Sequence, residues 1–171
     1  CIVTLRLQSQ RRRARPDATY RYWQLGLSCA IFALFSALTV TLWPAVKDSN
    51  EWPLLFGILL ITGGFLSFIV GMLYKIVPFL AWLHLQNLGE SKVPAPAMNK
   101  ILAEAAMQKQ MACHGLAVVL VMGAVFAPEW LARPAGFAFA VANVFLIWNL
   151  AGAVHRYRQH ALLIARKLAA L

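Results

Sequence analysis

The chain has 171 residues, of which 61% are hydrophobic and only 13% are charged, and its mean hydropathy is +0.65. Soluble domains are about 45–50% apolar and about 25% charged, so this composition excludes a soluble enzyme, a disordered tail and a disulfide scaffold. The net charge is +10. In a membrane protein, basic residues set the orientation of the chain and contact anionic lipid headgroups, so we attribute this charge to the membrane and expect no nucleic-acid partner.

Four apolar stretches are long enough to span a membrane, since a helix needs about 20 residues to cross a hydrocarbon core of about 30 Å. In chain order they are residues 23–43, 54–85, 111–127 and 135–154. Outside them lie a basic segment at 1–22, a polar loop and helix at 86–110, and a tail at 155–171. We predict an all-α transmembrane bundle of four spans that forms one membrane domain over residues 1–171.

The distribution of lysine and arginine over the loops predicts the orientation of the chain. Fourteen of the 16 basic residues fall on one side: thirteen lie before the first span, between the second and third spans, or after the fourth, and Lys75 lies near the inner end of the second span. The other two, Lys47 and Arg133, lie in the two remaining loops. We therefore expect both chain ends in the cytoplasm, with the basic residues at the anionic headgroups of that face.

The two chain ends carry predictions of their own. Residues 1–7 start with Cys1 and read like the last turns of another span, so we expect the C-terminal portion of a longer polytopic protein. In the tail, one helical stripe contains Tyr157, Ala161, Ile164, Ala165, Leu168 and Leu171. Basic residues such as Arg166 and Lys167 lie on the opposite side. This pattern is typical of an amphipathic helix that lies on the cytoplasmic leaflet.

Small and polar residues within the spans predict helix packing. Gly63, Ser67 and Gly71 recur every four residues in the second span, which allows another helix to approach closely. Asn143 and Asn149 are polar at membrane depth in the fourth span, so we expect them to point inward and hydrogen-bond across helices. Together these residues predict association with other transmembrane subunits.

Lys75 is a candidate intramembrane charge. At 1.5 Å per residue it lies roughly 31 Å beyond Leu54, near the inner end of the second span. Either its side chain reaches back to the headgroups, or it is held in hydrocarbon, because residues 76–83 remain apolar. In the second case it indicates a transporter or channel, since buried charges in membranes mark ion and proton paths.

Two histidines are candidates for a cofactor site. His84 ends the second span and His114 begins the third, so both fall at cytoplasmic ends. If the two imidazoles face each other, they could hold a b-type haem, for which imidazole is a usual axial ligand. The alternative is that each histidine is hydrated at the interface.

Catalytic signatures are absent from the sequence. No carboxylate falls inside a predicted span. The chain also has no P-loop, no G-x-S-x-G, no H-E-x-x-H and no dinucleotide-binding fingerprint. We therefore predict no catalytic residue, no metal ligand and no enzymatic activity of this chain on its own.

The run at 71–84, GMLYKIVPFLAWLH, resembles the G-x-x-Y-x-x-x-P pattern that closes a helix in bacterial proteins of the haem-copper oxidase subunit I superfamily. The resemblance implies a bacterial inner-membrane location and a large helical bundle. Active members of that family hold haem and copper through histidines inside their helices. This chain has no His-x-His and no histidine in the middle of a predicted span, so no metal ligand is carried over. The ligands then lie in a preceding part of the protein, or the chain is a relative without metal.

These features favour a non-catalytic integral membrane subunit, or C-terminal portion, of a respiratory or electron-transfer complex, acting in helix packing and assembly. A haem b cytochrome that uses His84 and His114 is one alternative. A transporter or channel portion that uses Lys75 is the other.

Overall fold

The computed structural model describes residues 17–43, 51–90 and 92–170. Residues 1–16 of the predicted basic segment and residue 171 of the predicted tail lie outside the described residues. The described elements are α1 (Ala18–Leu42), α2 (Glu51–Gly57), a π-helical segment (Ile58–Phe65), α3 (Leu66–Leu88), α4 (Met98–Ile101), α5 (Glu104–Phe126) and α6 (Pro128–Ala169). No β-strand occurs among these residues.

Within the described ranges, four helices are long and apolar enough to cross a membrane. They are Ala18–Leu42, Glu51–Leu88, Glu104–Phe126 and Pro128–Ala169, of which the second joins α2, the π-helical segment and α3 end to end. Helices suit this environment because their backbone hydrogen bonds are satisfied within the segment. The predicted all-α fold with four membrane-spanning helices is confirmed.

α1 packs closely against the π-helical segment and α3 through glycine. A Cβ atom added to Gly63 would lie 2.5 Å from the Cys29 sulfur, and one added to Gly71 would lie 2.9 Å from the Tyr22 Cβ. Neither distance occurs for real side chains, so only glycine permits this approach. The helix that the predicted small-residue stripe accommodates is therefore the chain's own α1, which leaves the stripe covered.

α5 and α6 form an antiparallel pair joined by a tight turn at Ala127. Pro128 is the first residue of α6, where a proline costs no hydrogen bond and its ring already has the helical φ. α6 turns alanines inward, with Ala135, Ala142 and Ala153 buried. Its bulky residues, such as Trp148, remain exposed. The small inner face lets α6 pack along α5 and leaves the large apolar side chains to face lipid.

The tail differs from the prediction of a separate surface helix. It is the end of α6, which continues unbroken to Ala169. With 42 residues, α6 is about 63 Å long, roughly twice the thickness of the hydrocarbon core. The apolar stripe of the tail also meets protein, because Ile164 is buried and Tyr157, Ala161 and Leu168 pack into the same core as Leu85. A stripe that packs on protein has the same spacing as one that packs on lipid, so the sequence alone could not distinguish them.

Residues 92–103 pack against the ends of α3 and α6. Ile101 and Leu102 are buried there, and the Arg156 Nε donates a hydrogen bond of 2.6 Å to the Ile101 carbonyl oxygen. At the start of α1, the Ala18 N–H donates to the Glu104 carboxylate at 2.5 Å, where the helix dipole favours a negative charge. We call residues 78–88, 92–103 and 155–169 together the inner extension, since the loop charges predict that this end of the bundle faces the cytoplasm.

Candidate functional site

A buried cluster of polar side chains lies at the centre of the helix bundle. Its members are Tyr22 of α1, Ser67 and Tyr74 of α3, Gln110 and His114 of α5, and Asn149 of α6. Each is no more than 5% exposed. We call this set the polar cluster.

Tyr22 and Gln110 connect three helices. The Tyr22 hydroxyl donates to the Gln110 Oε1. The Gln110 Nε2 in turn donates to the backbone carbonyl of Ala142 at 3.2 Å. Both ends of the glutamine amide are therefore used, and the chain of hydrogen bonds runs from α1 through α5 to α6.

His114 connects α5 to α3. Its Nε2 shares a hydrogen bond of 3.0 Å with the Ser67 Oγ. The Tyr22 ring packs beside the imidazole, with ring centroids 5.5 Å apart. Ser67, predicted as a small packing residue, thus also supplies a hydroxyl to the polar cluster.

Asn149 joins α6 to two other helices. Its Nδ2 donates to the Tyr74 hydroxyl at 3.0 Å and to the Ala106 carbonyl at 3.3 Å. Asn143, the other predicted packing asparagine, differs because its Nδ2 donates to Phe139 of its own helix at 2.8 Å. An asparagine can satisfy its amide on the carbonyl four residues earlier, so membrane depth alone did not determine which of the two crosses between helices.

The structure does not bring His84 and His114 together. His114 contacts Ser67, whereas His84 lies 17 positions further along the same helix as Ser67, about 25 Å at the α-helical rise. One haem iron takes its two axial ligands from opposite faces of a single ring. The two imidazoles therefore do not fit a shared haem.

His84 instead pairs with a residue of α6 at the inner extension. Its Nδ1 shares a hydrogen bond of 3.2 Å with the Tyr157 hydroxyl. The two side chains lie at one end of an apolar groove between α3 and α6, with a volume of about 290 Å³. The groove lies outside the polar cluster.

Lys75 is exposed and lines a separate cavity of about 220 Å³. Two carboxylate residues, Asp17 and Glu104, line the same cavity. Met98 and Leu102 of the inner extension also line this cavity. Lys75 thus shares one cavity with two acidic residues.

Three members of the polar cluster, Tyr22, Tyr74 and Gln110, carried no prediction from the sequence. Tyr22 and Gln110 each directly precede a predicted span, so both were assigned to the cytoplasmic side. The available signal was helical continuity: extending each span by one turn places both residues on the inward face of a helix.

Comparisons with protein-family models, with curated proteins and with solved structures give no match, so the function is inferred only from the residues of this chain.

Proposed function

We propose that this chain acts as a non-catalytic membrane subunit in a bacterial respiratory or electron-transfer complex. Its role is to assemble and hold neighbouring transmembrane helices. The observation that supports a structural role is the polar cluster, whose hydrogen bonds join α1, α3, α5 and α6 of this chain into one scaffold on which neighbouring helices can pack. Polar side chains used in this way stabilise a helix bundle.

The inner extension supports the partner role. On its α6 portion, Arg158, Leu162 and Arg166 follow one another at four-residue spacing and are exposed. They form a stripe with two positive charges on the side of α6 that faces away from the core. The +10 charge of the chain suits contact with acidic partner surfaces, since complementary charges guide association. This face therefore offers a place where soluble or membrane subunits bind.

Purification of the tagged full chain from native membranes tests the proposal. We expect it to migrate in a complex with other integral membrane chains, and we expect membranes that lack it to consume oxygen more slowly. Charge reversal at Arg158 and Arg166 should reduce the recovered complex, whereas the same change at Arg133, on the predicted outer side, should not. Purification of the chain alone, with normal oxygen consumption in its absence, would refute the proposal.

A second candidate function is supported by the cavity at Lys75. A lysine that lines one cavity with Asp17 and Glu104 is suited to the passage of a charged solute or proton. In proteoliposomes, this candidate requires a flux that Lys75→Met abolishes while the variant still assembles. If flux and assembly are both unchanged in Lys75→Met, the transport role is excluded.

A further inference from the structure

The groove between α3 and α6 combines apolar walls with one hydrogen-bonding pair. Its lining consists of Val77, Leu80, Ala81, His84, Ala153, Val154 and Tyr157. Only His84 and Tyr157 of these residues carry polar side-chain atoms, and the two are bonded to each other at 3.2 Å. No charged residue belongs to this lining.

The polar pair lies at the end of the groove that faces away from the bilayer centre. His84 is the last lining residue of α3 and Tyr157 is the last of α6. From Val77 to His84 the groove extends about 10 Å along α3. At its rim, Leu80 is 54% and Val154 is 46% exposed. A lipid-soluble molecule can therefore enter from the side with its polar end toward the inner face.

The chemistry of the lining selects among lipid-soluble ligands. A phosphate headgroup is bound best by arginine or lysine, and neither lines this groove. A neutral ring with carbonyl or hydroxyl oxygens matches better, because the Tyr157 hydroxyl and the His84 imidazole can each donate or accept a hydrogen bond. We propose that the groove binds the head ring of a lipid-soluble quinone or quinol, with its tail in the bilayer.

This site adds a ligand to the proposed function. It rests on that function in one respect: quinones are the lipid-soluble electron carriers that an electron-transfer complex would use. The two are tested separately. Quinone binding is measured on the isolated full chain, whereas the subunit role is measured by recovery of the complex. If the isolated chain does not bind quinone, recovery of the complex still tests the subunit role, and the reverse also holds.

The test is native mass spectrometry of the full chain in detergent, titrated with decyl-ubiquinone. We expect saturable binding of one molecule per chain. Tyr157→Phe and His84→Phe, which keep a ring but remove hydrogen-bonding atoms, should each raise the Kd roughly five- to tenfold, as expected for one lost hydrogen bond. His155→Phe is the matched control, because His155 is exposed, bonds to Gln159 and lies outside the groove, and it should bind like the unmodified chain.

Three results would overturn the inference. The first is the absence of saturable binding, and the second is equal affinity in both groove variants and the control. The third is displacement of the quinone by phosphatidylglycerol that binds more tightly and depends on the same two residues, which would make the site a phospholipid site. If the variants do not fold, a photoreactive quinone is crosslinked to the unmodified chain. Labelling confined to 77–84 and 153–157 supports the site, and labelling elsewhere contradicts it.

Discussion

At the scale of single residues, hydrogen bonds between helices determine how this bundle is held together. Water cannot replace a lost partner inside the bilayer, so a buried amide or hydroxyl there must bond to protein. Gln110 is the clearest case, because it bonds to Tyr22 of α1 and to the backbone of α6. Hydrogen bonds between membrane helices contribute about 1–2 kcal/mol in model peptides and about 0.6 kcal/mol on average in a natural bundle.

Gln110→Leu is therefore expected to lower the free energy of unfolding by about 1–3 kcal/mol, because it leaves the Tyr22 hydroxyl and the Ala142 carbonyl without their partner. The measurement is reversible unfolding of the purified chain in mixed micelles. Gln24→Leu is the control, since Gln24 is exposed and its side chain bonds to Tyr20 of the same helix. Equal effects of the two substitutions would show that the polar cluster does not stabilise the bundle.

A second prediction at the residue scale concerns Gly71, at the close contact between α1 and α3. Gly71→Ala would place a Cβ atom 2.9 Å from the Tyr22 Cβ, so the helices must separate and stability should fall by about 1–3 kcal/mol. Gly115→Ala meets open space in α5 and should be neutral or stabilising by up to about 1 kcal/mol, since alanine favours helix more than glycine does. The same unfolding assay compares them, and similar losses in both would contradict the described packing.

At the scale of elements, the long helices distinguish this chain from a minimal four-span bundle. The rod Glu51–Leu88 and α6 have 38 and 42 residues, which gives lengths of about 57 and 63 Å. A hydrocarbon core of about 30 Å accounts for roughly half of each. The remainder packs with residues 92–103, so the inner extension has a core that includes Leu85, Ile101, Leu102 and Ile164.

The position of the tail can be tested at two adjacent residues. Ile164 is 4% exposed whereas Leu163 is 50% exposed. Ile164→Ala should therefore cost about 2–5 kcal/mol through the lost burial and the resulting cavity, and Leu163→Ala should cost no more than about 0.5 kcal/mol. Chemical unfolding of the full chain measures both. A tail that lay on the leaflet, away from the inner extension, would show small effects at both positions.

Hydropathy was sufficient to predict the number of spans, because a charge-free run of about 20 residues has few other uses. Hydropathy did not predict where the helices end, because an apolar run ends where charged residues begin. α6 continues past Arg156 because its last turns pack against the core of the inner extension. The same limit hid Tyr22 and Gln110. Asn149 was predictable as an inward polar residue, but which helix it meets depends on tertiary contacts that no local spacing encodes.

At the scale of the whole molecule, apolar helices, a central polar cluster and an inner extension form one connected structure. Among the described residues, basic side chains such as Lys92, Lys100, Arg158 and Arg166 belong to this extension, for which the loop charges predict a cytoplasmic position. The two histidines considered for haem have separate partners, Ser67 for His114 and Tyr157 for His84. Their positions therefore do not fit one shared haem within this chain.

The most direct test is a reduced-minus-oxidised absorption spectrum of the purified complex, recorded for the unmodified chain and for His84→Phe and His114→Gln. The glutamine can still hydrogen-bond to Ser67, so it tests ligation with less disturbance of packing. We predict a haem band that both variants retain with the same intensity per complex, because the proposed function assigns the haem to another chain. A b-type band that disappears in either variant while the complex stays intact would make this chain the electron carrier and contradict its assembly role.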